Sequence, residues 1–121
     1  MRALAVALMT LGVLAACGGG GGSPSQPAGS IKVTMTEFKF DPLTISAPSG
    51  KVVFYLVNAG TVAHDLVIRD SSGTRLGASE LVSAGDSNVF TVDRIAAGTF
   101  TIFCDQQGHE ASGMKGTLTI T

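Results

Sequence analysis

The sequence predicts an all-β fold with the architecture of an antiparallel β-sandwich. Short runs of alternating apolar and polar residues recur throughout residues 31–121, as expected for half-buried strands. Glycine, proline, asparagine and aspartate separate these runs, which is typical of turns. No segment keeps a helical period, although residues 76–84 could form a single helical turn. About seven or eight short strands fit this length, and such strands usually form a sandwich.

The first half of this region contains three predicted strands. Residues 31–36 alternate cleanly, and the same period continues through Phe38 and Phe40. A proline-containing break then precedes a short run at residues 43–45. Residues 51–57 are nearly all apolar and are rich in β-branched and aromatic side chains, which favour strands.

The second half contains four predicted strands. Residues 64–69 form a short mixed run, and residues 87–92 alternate again. Residues 98–104 predict a strand that carries Cys104 on the same face as two apolar side chains, because successive side chains of a strand point to opposite faces. Residues 116–121 form the last predicted strand.

Residues 1–16 are predicted to be a signal peptide. Residues 3–16 are almost wholly apolar and follow Arg2, and this run is too short to span a bilayer comfortably. Residues 14–17, Leu-Ala-Ala-Cys, resemble the bacterial lipobox, in which the peptide is cut before the cysteine and the thiol is lipidated. The alternative is an ordinary signal peptide with a chance cysteine. We expect a lipid on Cys17 and an extracytoplasmic protein, periplasmic or on the cell surface, anchored to a bacterial membrane.

Residues 17–30 are predicted to be a lipidated cysteine followed by a tether. A run of five glycines leads into a stretch rich in serine and proline. Such a composition cannot bury apolar surface and is typical of a flexible coil. The folded unit is therefore predicted to span residues 31–121, a length that suits one small domain with one core.

Charge excludes one class of partner. The chain has 8 Lys and Arg against 9 Asp and Glu, for a formal net charge of −1, and it contains no basic run. Nucleic acid binding therefore has no electrostatic support. We expect a monomer that does not bind nucleic acid.

Four residues could bind a metal ion together. The chain has 2 histidines, His64 and His109, and if Cys17 carries a lipid then Cys104 is the remaining thiol. Cys104, His109 and Met114 follow the spacing Cys-x4-His-x4-Met in the loop between the last two predicted strands. Each residue alone has an ordinary structural explanation, such as a buried thiol or a gap-filling methionine. Their convergence on one loop and one strand end favours a metal site.

The chemistry of this set favours copper. Two histidines and one cysteine in a trigonal plane, with a weak axial methionine, are the donors of blue-copper electron-transfer sites. A soft thiolate suits Cu(I) and imidazoles accommodate Cu(II), so one constrained geometry serves both oxidation states. Zinc prefers four strong ligands, and methionine is a poor one. The residues therefore predict one type 1 copper ion.

The segment from Phe103 to Ile120 resembles the C-terminal signature of the plastocyanin and azurin family of cupredoxins. Its Cys-to-His gap is similar to that of azurins and its His-to-Met gap to that of plastocyanins, a combination most like auracyanins and related bacterial lipoprotein cupredoxins. Residues 58–65 resemble the segment that carries the family's first ligand. The resemblance implies a cupredoxin-like Greek-key sandwich of eight strands. It also implies the copper ligands His64, Cys104, His109 and Met114, and electron transfer between membrane-bound redox partners.

Three neighbours of the ligands depart from the family pattern. Asp65 follows the first histidine and Asp105 follows the cysteine, where the family commonly has Asn and then Ser or Thr. If these carboxylates lie side by side, they would share a proton, because two ionised carboxylates repel each other. The alternative is that Asp65 accepts backbone hydrogen bonds while Asp105 points into water. Gln106 stands where a proline would remove a backbone N–H, so its N–H is free to reach the Cys104 sulfur.

Other functions remain open at this stage. A carrier or store of copper would use the same ligands without transferring electrons, although the methionine-rich or histidine-rich tracts common in carriers are absent from the sequence. A multicopper enzyme would need further histidines, so we expect no enzyme activity. An adhesion domain would show the same strands and bind no metal.

Overall fold

The structure is a computed structural model that describes residues 22–121, and it confirms the predicted β-sandwich. This part of the chain forms nine strands and no helix. It therefore contains no helix long and apolar enough to cross a membrane. The predicted signal peptide, Cys17 and the first four residues of the predicted tether lie outside the described residues.

The structure contains the seven predicted strands in their predicted order and adds short strands at residues 39–41 and 75–78. In chain order they are β1 (Ile31–Thr36), β2 (Lys39–Asp41), β3 (Thr44–Ala47), β4 (Gly50–Asn58), β5 (Val67–Arg69), β6 (Arg75–Ala78), β7 (Ser87–Ile95), β8 (Gly98–Phe103) and β9 (Lys115–Ile120). One sheet has the order β2-β1-β4-β7 and the other has the order β3-β9-β8-β5-β6.

Both sheets are mixed rather than purely antiparallel. β1 pairs in parallel with β4, and β3 pairs in parallel with β9, while the remaining pairs are antiparallel. The parallel pairs arise because the chain leaves the first sheet after β2, adds β3 to the second sheet, and then returns as β4. Alternation along a strand indicates which face is buried but not which strand lies beside it.

A two-residue connection separates β1 from β2 where the sequence predicted one continuous run. Thr36 pairs with Lys39 in an antiparallel hairpin, so Glu37 and Phe38 form its tip. Phe40 is buried, whereas Phe38 is 39% exposed. The hairpin therefore removes Phe38 from the core and carries it to one end of the sandwich.

The region after His64 also differs from prediction. Residues 64–69 form a strand only from Val67 onwards, and His64 makes an isolated bridge with Val82. The helical turn considered for residues 76–84 is wrong, because β6 is an edge strand paired with β5. As a strand, residues 75–78 form backbone hydrogen bonds with β5. A single isolated helical turn would leave most of these backbone groups without partners.

The two sheets enclose one apolar core. Phe54 is completely buried, and its ring stacks on Phe90 with centroids 5.8 Å apart. Cys104 and Met114 belong to the same cluster of buried residues and have no exposed surface. The other completely buried members are Val33, Met35, Leu56, Leu66, Ile68, Ile102 and Leu118. The core therefore extends directly to Cys104 and Met114 at one end of the sandwich.

The described part of the predicted tether contacts the start of β7. The backbone N–H of Ser87 donates to Ser23 Oγ at 2.9 Å, and Ser87 Oγ donates to Pro24 O at 3.2 Å. Asp86, the preceding residue, accepts a hydrogen bond from the backbone N–H of Asn58. Because Asn58 also holds the segment before His64, Ser23 lies at the same end of the sandwich as Cys104 and Met114.

Candidate metal centre

The loop between β8 and β9 carries three of the four predicted ligands. Its base is closed by a hydrogen bond from Cys104 N to Met114 O at 3.1 Å. Met114 N donates to His109 O at 3.0 Å, which folds the middle of the loop back towards its end. Gly108 and Gly113 have φ of 81° and 109°, a region that favours glycine because it has no Cβ. These turns bring residues 104, 109 and 114 together.

A buried asparagine holds the segment that positions His64. Asn58 Nδ2 donates to Val62 O at 2.8 Å and to Val82 O at 2.9 Å, and its Oδ1 accepts from Gly60 N. His64 exchanges two backbone hydrogen bonds with Val82. The histidine is completely buried. Its backbone is held by Val82, and the segment before it is held by Asn58.

Three donor atoms converge at this end of the sandwich. Cys104 Sγ lies 3.4 Å from His109 Nδ1 and 4.0 Å from His64 Nδ1, and the two Nδ1 atoms are 3.2 Å apart. The point equidistant from the three atoms is about 2.1 Å from each, which is within about 0.2 Å of metal–nitrogen and metal–sulfur bond lengths. The triangle therefore has the size that one bound ion requires.

Met114 completes the predicted set. It is completely buried, and its backbone is bonded to both Cys104 and His109. Two imidazoles, one thiol and one thioether form a soft to borderline donor set, which suits copper and is poor for zinc. The four residues fit a single type 1 copper ion.

Glu37 contacts the site, although sequence reasoning gave it no role. Its Oε1 accepts hydrogen bonds from Thr61 N at 2.8 Å and Val62 N at 3.1 Å, and it lies 3.0 Å from His64 Nε2. The backbone donors of Thr61 and Val62, together with His64, lower the pKa of Glu37 to about 2. The carboxylate is therefore ionised at neutral pH.

Phe38 is a second neighbour of the site that sequence reasoning missed. Its ring meets the His109 ring edge to face, with centroids 4.9 Å apart. His109 is half-buried, whereas His64, Cys104 and Met114 are completely buried. His109 and Phe38 together therefore form the part of the centre that solvent and other molecules can reach.

The Cys104 thiol is protonated when no metal is bound. Burial raises its pKa to about 11, although the backbone N–H groups of Asp65 and Gln106 act in the opposite direction. The ligating form of cysteine is the thiolate, so metal uptake must displace this proton. Metal affinity is therefore expected to rise with pH throughout the neutral range.

Asp65 links the two segments that carry ligands. Its Oδ1 accepts the backbone N–H of Asp105 at 2.9 Å, as one of the two alternatives drawn from the sequence requires. Burial raises the pKa of Asp65. The neighbouring Asp65 carboxyl and the ion pair with Arg75 lower the pKa of Asp105. Arg75 donates to Asp105 Oδ2 at 2.8 Å, so the Asp105 carboxylate has a cationic partner as well as contact with water.

An arginine of β5 binds the loop between β8 and β9. Both terminal nitrogens of Arg69 bond to the carboxylate of Glu110, the residue after His109. The Arg69 guanidinium also lies 4.2 Å above the centre of the Phe103 ring. The ion pair raises the pKa of Arg69 and lowers that of Glu110. A partly exposed pair of this kind contributes about 1 kcal/mol or less, so its main effect is to hold the loop in place.

A β-sandwich with two histidines, a cysteine and a methionine at one end defines a small copper protein. A family model described as a cupredoxin-like domain matches residues 3–120. The chain belongs to this family, as the resemblance of residues 103–120 predicted. No curated protein sequence matches the chain significantly.

Solved structures share the fold. The chain is similar to an auracyanin of the photosynthetic bacterium Roseiflexus castenholzii, with 21% identity, a TM-score of 0.69, and coverage of 76% of this chain and 96% of the other. It is also similar to auracyanin B, with 24% identity, a TM-score of 0.70, and coverage of 81% of this chain and 92% of the other. A purple cupredoxin from Nitrosopumilus maritimus is similar with 19% identity, a TM-score of 0.58, and coverage of 76% of this chain and 100% of the other.

Proposed function

We propose that this protein binds one copper ion through His64, Cys104, His109 and Met114 and carries single electrons between redox proteins outside the cytoplasm. The observation that carries the proposal is the convergence of His64 Nδ1, His109 Nδ1 and Cys104 Sγ, which all lie within 4.8 Å of one another. A visible and EPR spectrum of the copper-loaded protein tests it, because a thiolate–copper site absorbs intensely in the visible range. A colourless copper complex would contradict it.

The protein supplies a rigid and dry environment for these ligands. Copper supplies the Cu(II)/Cu(I) couple when it is bound. Asn58 and Val82 fix His64, while the hydrogen bond between Cys104 and Met114 fixes the ends of the loop. Ligands held in this way move little when the charge of the ion changes, and a small rearrangement favours fast electron transfer.

The burial of the ligands favours electron transfer over copper delivery. A carrier must release its ion, whereas three of the four proposed ligands here have no exposed surface. An electron needs only one ligand near the surface, and half-buried His109 provides it. Catalysis is not proposed, because among residues 22–121 the single cluster that could hold a metal ion is the one formed by His64, Cys104 and His109.

The electron is proposed to enter and leave through His109. Phe38 covers one side of this ring, and Val62, also exposed, is bonded through its backbone to Glu37 beside Phe38. Ala111 is an exposed small residue two positions after His109. A small apolar surface of this kind suits brief encounters, which bury little area.

Changing Ala111 to glutamate is expected to slow electron exchange at least threefold and to leave the visible spectrum unchanged. The new side chain adds bulk and charge beside the portal without touching a proposed ligand. Electron self-exchange between two copies of the protein, measured by NMR line broadening, avoids the need for a partner. Ala97→Glu is the matched control, because exposed Ala97 lies at the opposite end of β8. Equal exchange rates in the two variants would reject this portal.

Membrane anchoring through Cys17 is proposed as the setting for this exchange. The five tether residues before Ser23, treated as a glycine-rich coil, would reach roughly 12 Å. The contacts of Ser23 and Pro24 with Ser87 support an exit of this tether at the metal end of the domain. Such an exit would keep His109 close to membrane-bound donors and acceptors and raise their effective concentration.

Changing Cys17 to alanine is expected to release the protein from membranes or to block its processing, because the lipid attachment site is lost. Fractionation of cells that express the wild type and the variant, followed by detection of the protein in each fraction, measures this. Ser23→Ala is a suitable control, because it alters the tether without altering the thiol. Membrane association that is the same in Cys17→Ala and wild type would exclude the lipid anchor.

A further inference from the structure

Glu37 is placed to orient one ligand and to influence the charge of the centre. One oxygen, Oε1, lies within hydrogen-bonding distance of His64 Nε2 and of the backbone nitrogens of Thr61 and Val62. These three donors surround the same atom, so the carboxylate has a fixed position. The side chain is 29% exposed, and His64 is completely buried.

The contact decides which nitrogen of His64 carries the proton. A carboxylate accepts hydrogen bonds, so Nε2 must be the protonated nitrogen of the neutral ring. Nδ1 then presents its lone pair to the point between His109 Nδ1 and Cys104 Sγ, 3.2 and 4.0 Å away. Without an acceptor at Nε2, the proton would be free to occupy Nδ1, and Nδ1 would then have no lone pair to offer a metal ion.

The surrounding loop leaves room for the carboxylate. A Cβ at Gly60 would lie 2.2 Å from Glu37 Oε1, so an alanine there would displace the carboxylate. Gly60 itself is held by Asn58 Oδ1 at 2.9 Å. The glycine, the two backbone donors and the histidine thus form a pocket that fits one carboxylate oxygen.

We propose that Glu37 is a positioning residue of the metal centre, whose carboxylate fixes the Nε2–H tautomer of His64 and whose negative charge favours the oxidised ion. The second part rests on the proposed copper site, and the first part does not. A hydrogen bond from a ligating imidazole to a carboxylate raises the basicity of the ligand, and an added negative charge stabilises Cu(II) more than Cu(I).

The tautomer is tested on the metal-free protein by the ¹⁵N chemical shifts of the His64 ring. We expect the Nε2–H form in the wild type and a mixture of tautomers in Glu37→Ala. Glu37→Gln should restore the Nε2–H form, because the N–H groups of Thr61 and Val62 select the amide oxygen for this position. A pure Nε2–H form in Glu37→Ala would overturn the positioning role. If that variant does not fold, Gly60→Ala displaces the carboxylate instead and is expected to give the same mixture.

The charge effect is tested by voltammetry of the copper-loaded protein. Glu37→Gln keeps the hydrogen bond but removes the charge, so we expect the Cu(I)/Cu(II) ratio at a fixed potential to rise about three- to tenfold, where tenfold is about 59 mV for one electron. Glu80→Gln is the control, because it removes the same formal charge from an exposed side chain that does not bond the His64 ring. Equal changes of the reduction potential in Glu37→Gln and Glu80→Gln would overturn the charge effect.

The two proposals fail in different ways. A wild-type protein that binds no coloured copper would refute the proposed function, and the ring tautomer of the metal-free protein would still decide whether Glu37 positions His64. A coloured wild type whose potential and tautomer do not respond to Glu37 would leave the proposed function intact and refute the further inference.

Discussion

Replacing Cys104 with serine is expected to abolish the intense visible absorption of the copper-loaded protein. The band arises from charge transfer between thiolate sulfur and copper, and a serine hydroxyl supplies neither the soft donor nor the low-energy transition. Because a ligand is lost, the fall in copper affinity should exceed the roughly 10- to 100-fold loss typical of changes outside the first coordination shell. Visible spectroscopy and copper titration measure the two effects.

Met114→Leu is the matched control for this experiment. Met114 is as deeply buried as Cys104, and leucine has a similar volume, so packing changes little. The visible band should persist, and the potential should rise because a weak donor to copper has been removed. Intense absorption retained in Cys104→Ser, or lost in Met114→Leu, would contradict the proposed roles of the two sulfurs.

The sequence identified the strands more reliably than their arrangement. Alternation and turn residues place β4, β8 and β9 within one or two residues of their observed bounds. The parallel pairing of β1 with β4 was not predicted, because it depends on the passage of β3 into the other sheet. A side-chain pattern with a period of two is the same for a parallel and an antiparallel neighbour.

The residues of the candidate site could be singled out because their types are rare in this chain. The sequence has 2 histidines and 2 cysteines, so once the Cys-x4-His-x4-Met pattern is assigned, only His64 and the N-terminal cysteine remain. Glu37 and Phe38 were missed because the period of two resumes at Phe38, and the single change of phase at Thr36 and Glu37 does not by itself mark a turn. The tip contains no glycine, proline or asparagine, so no turn signal marks it. Only the observed register reveals that the connection turns towards His64 and His109.

Gly116 is a glycine that the fold requires for reasons of space. It lies in β9, two residues after Met114, and pairs with Ile102 of β8. A Cβ at this position would lie 2.3 Å from the backbone oxygen of Leu43 and 3.3 Å from Ile102 Cγ1. The same Leu43 oxygen accepts the N–H of Thr117 at 3.0 Å at the start of the β3–β9 pair. A side chain at Gly116 would therefore separate β3 from β9.

Gly116→Ala is expected to destabilise the domain by about 3 kcal/mol, at the upper end of the usual range for overpacking. For a domain of this size, that loss lowers the melting temperature by more than about 10 °C. Gly77→Ala is the matched control: it also adds one methyl group within a strand, but its nearest neighbour is the end of the Phe90 ring at 3.1 Å. Because a side chain can rotate and a paired backbone cannot, the control should lose about 1 kcal/mol or less. Thermal and denaturant unfolding of the two metal-free variants measure the difference, and equal losses would show that the Leu43 carbonyl is free to move.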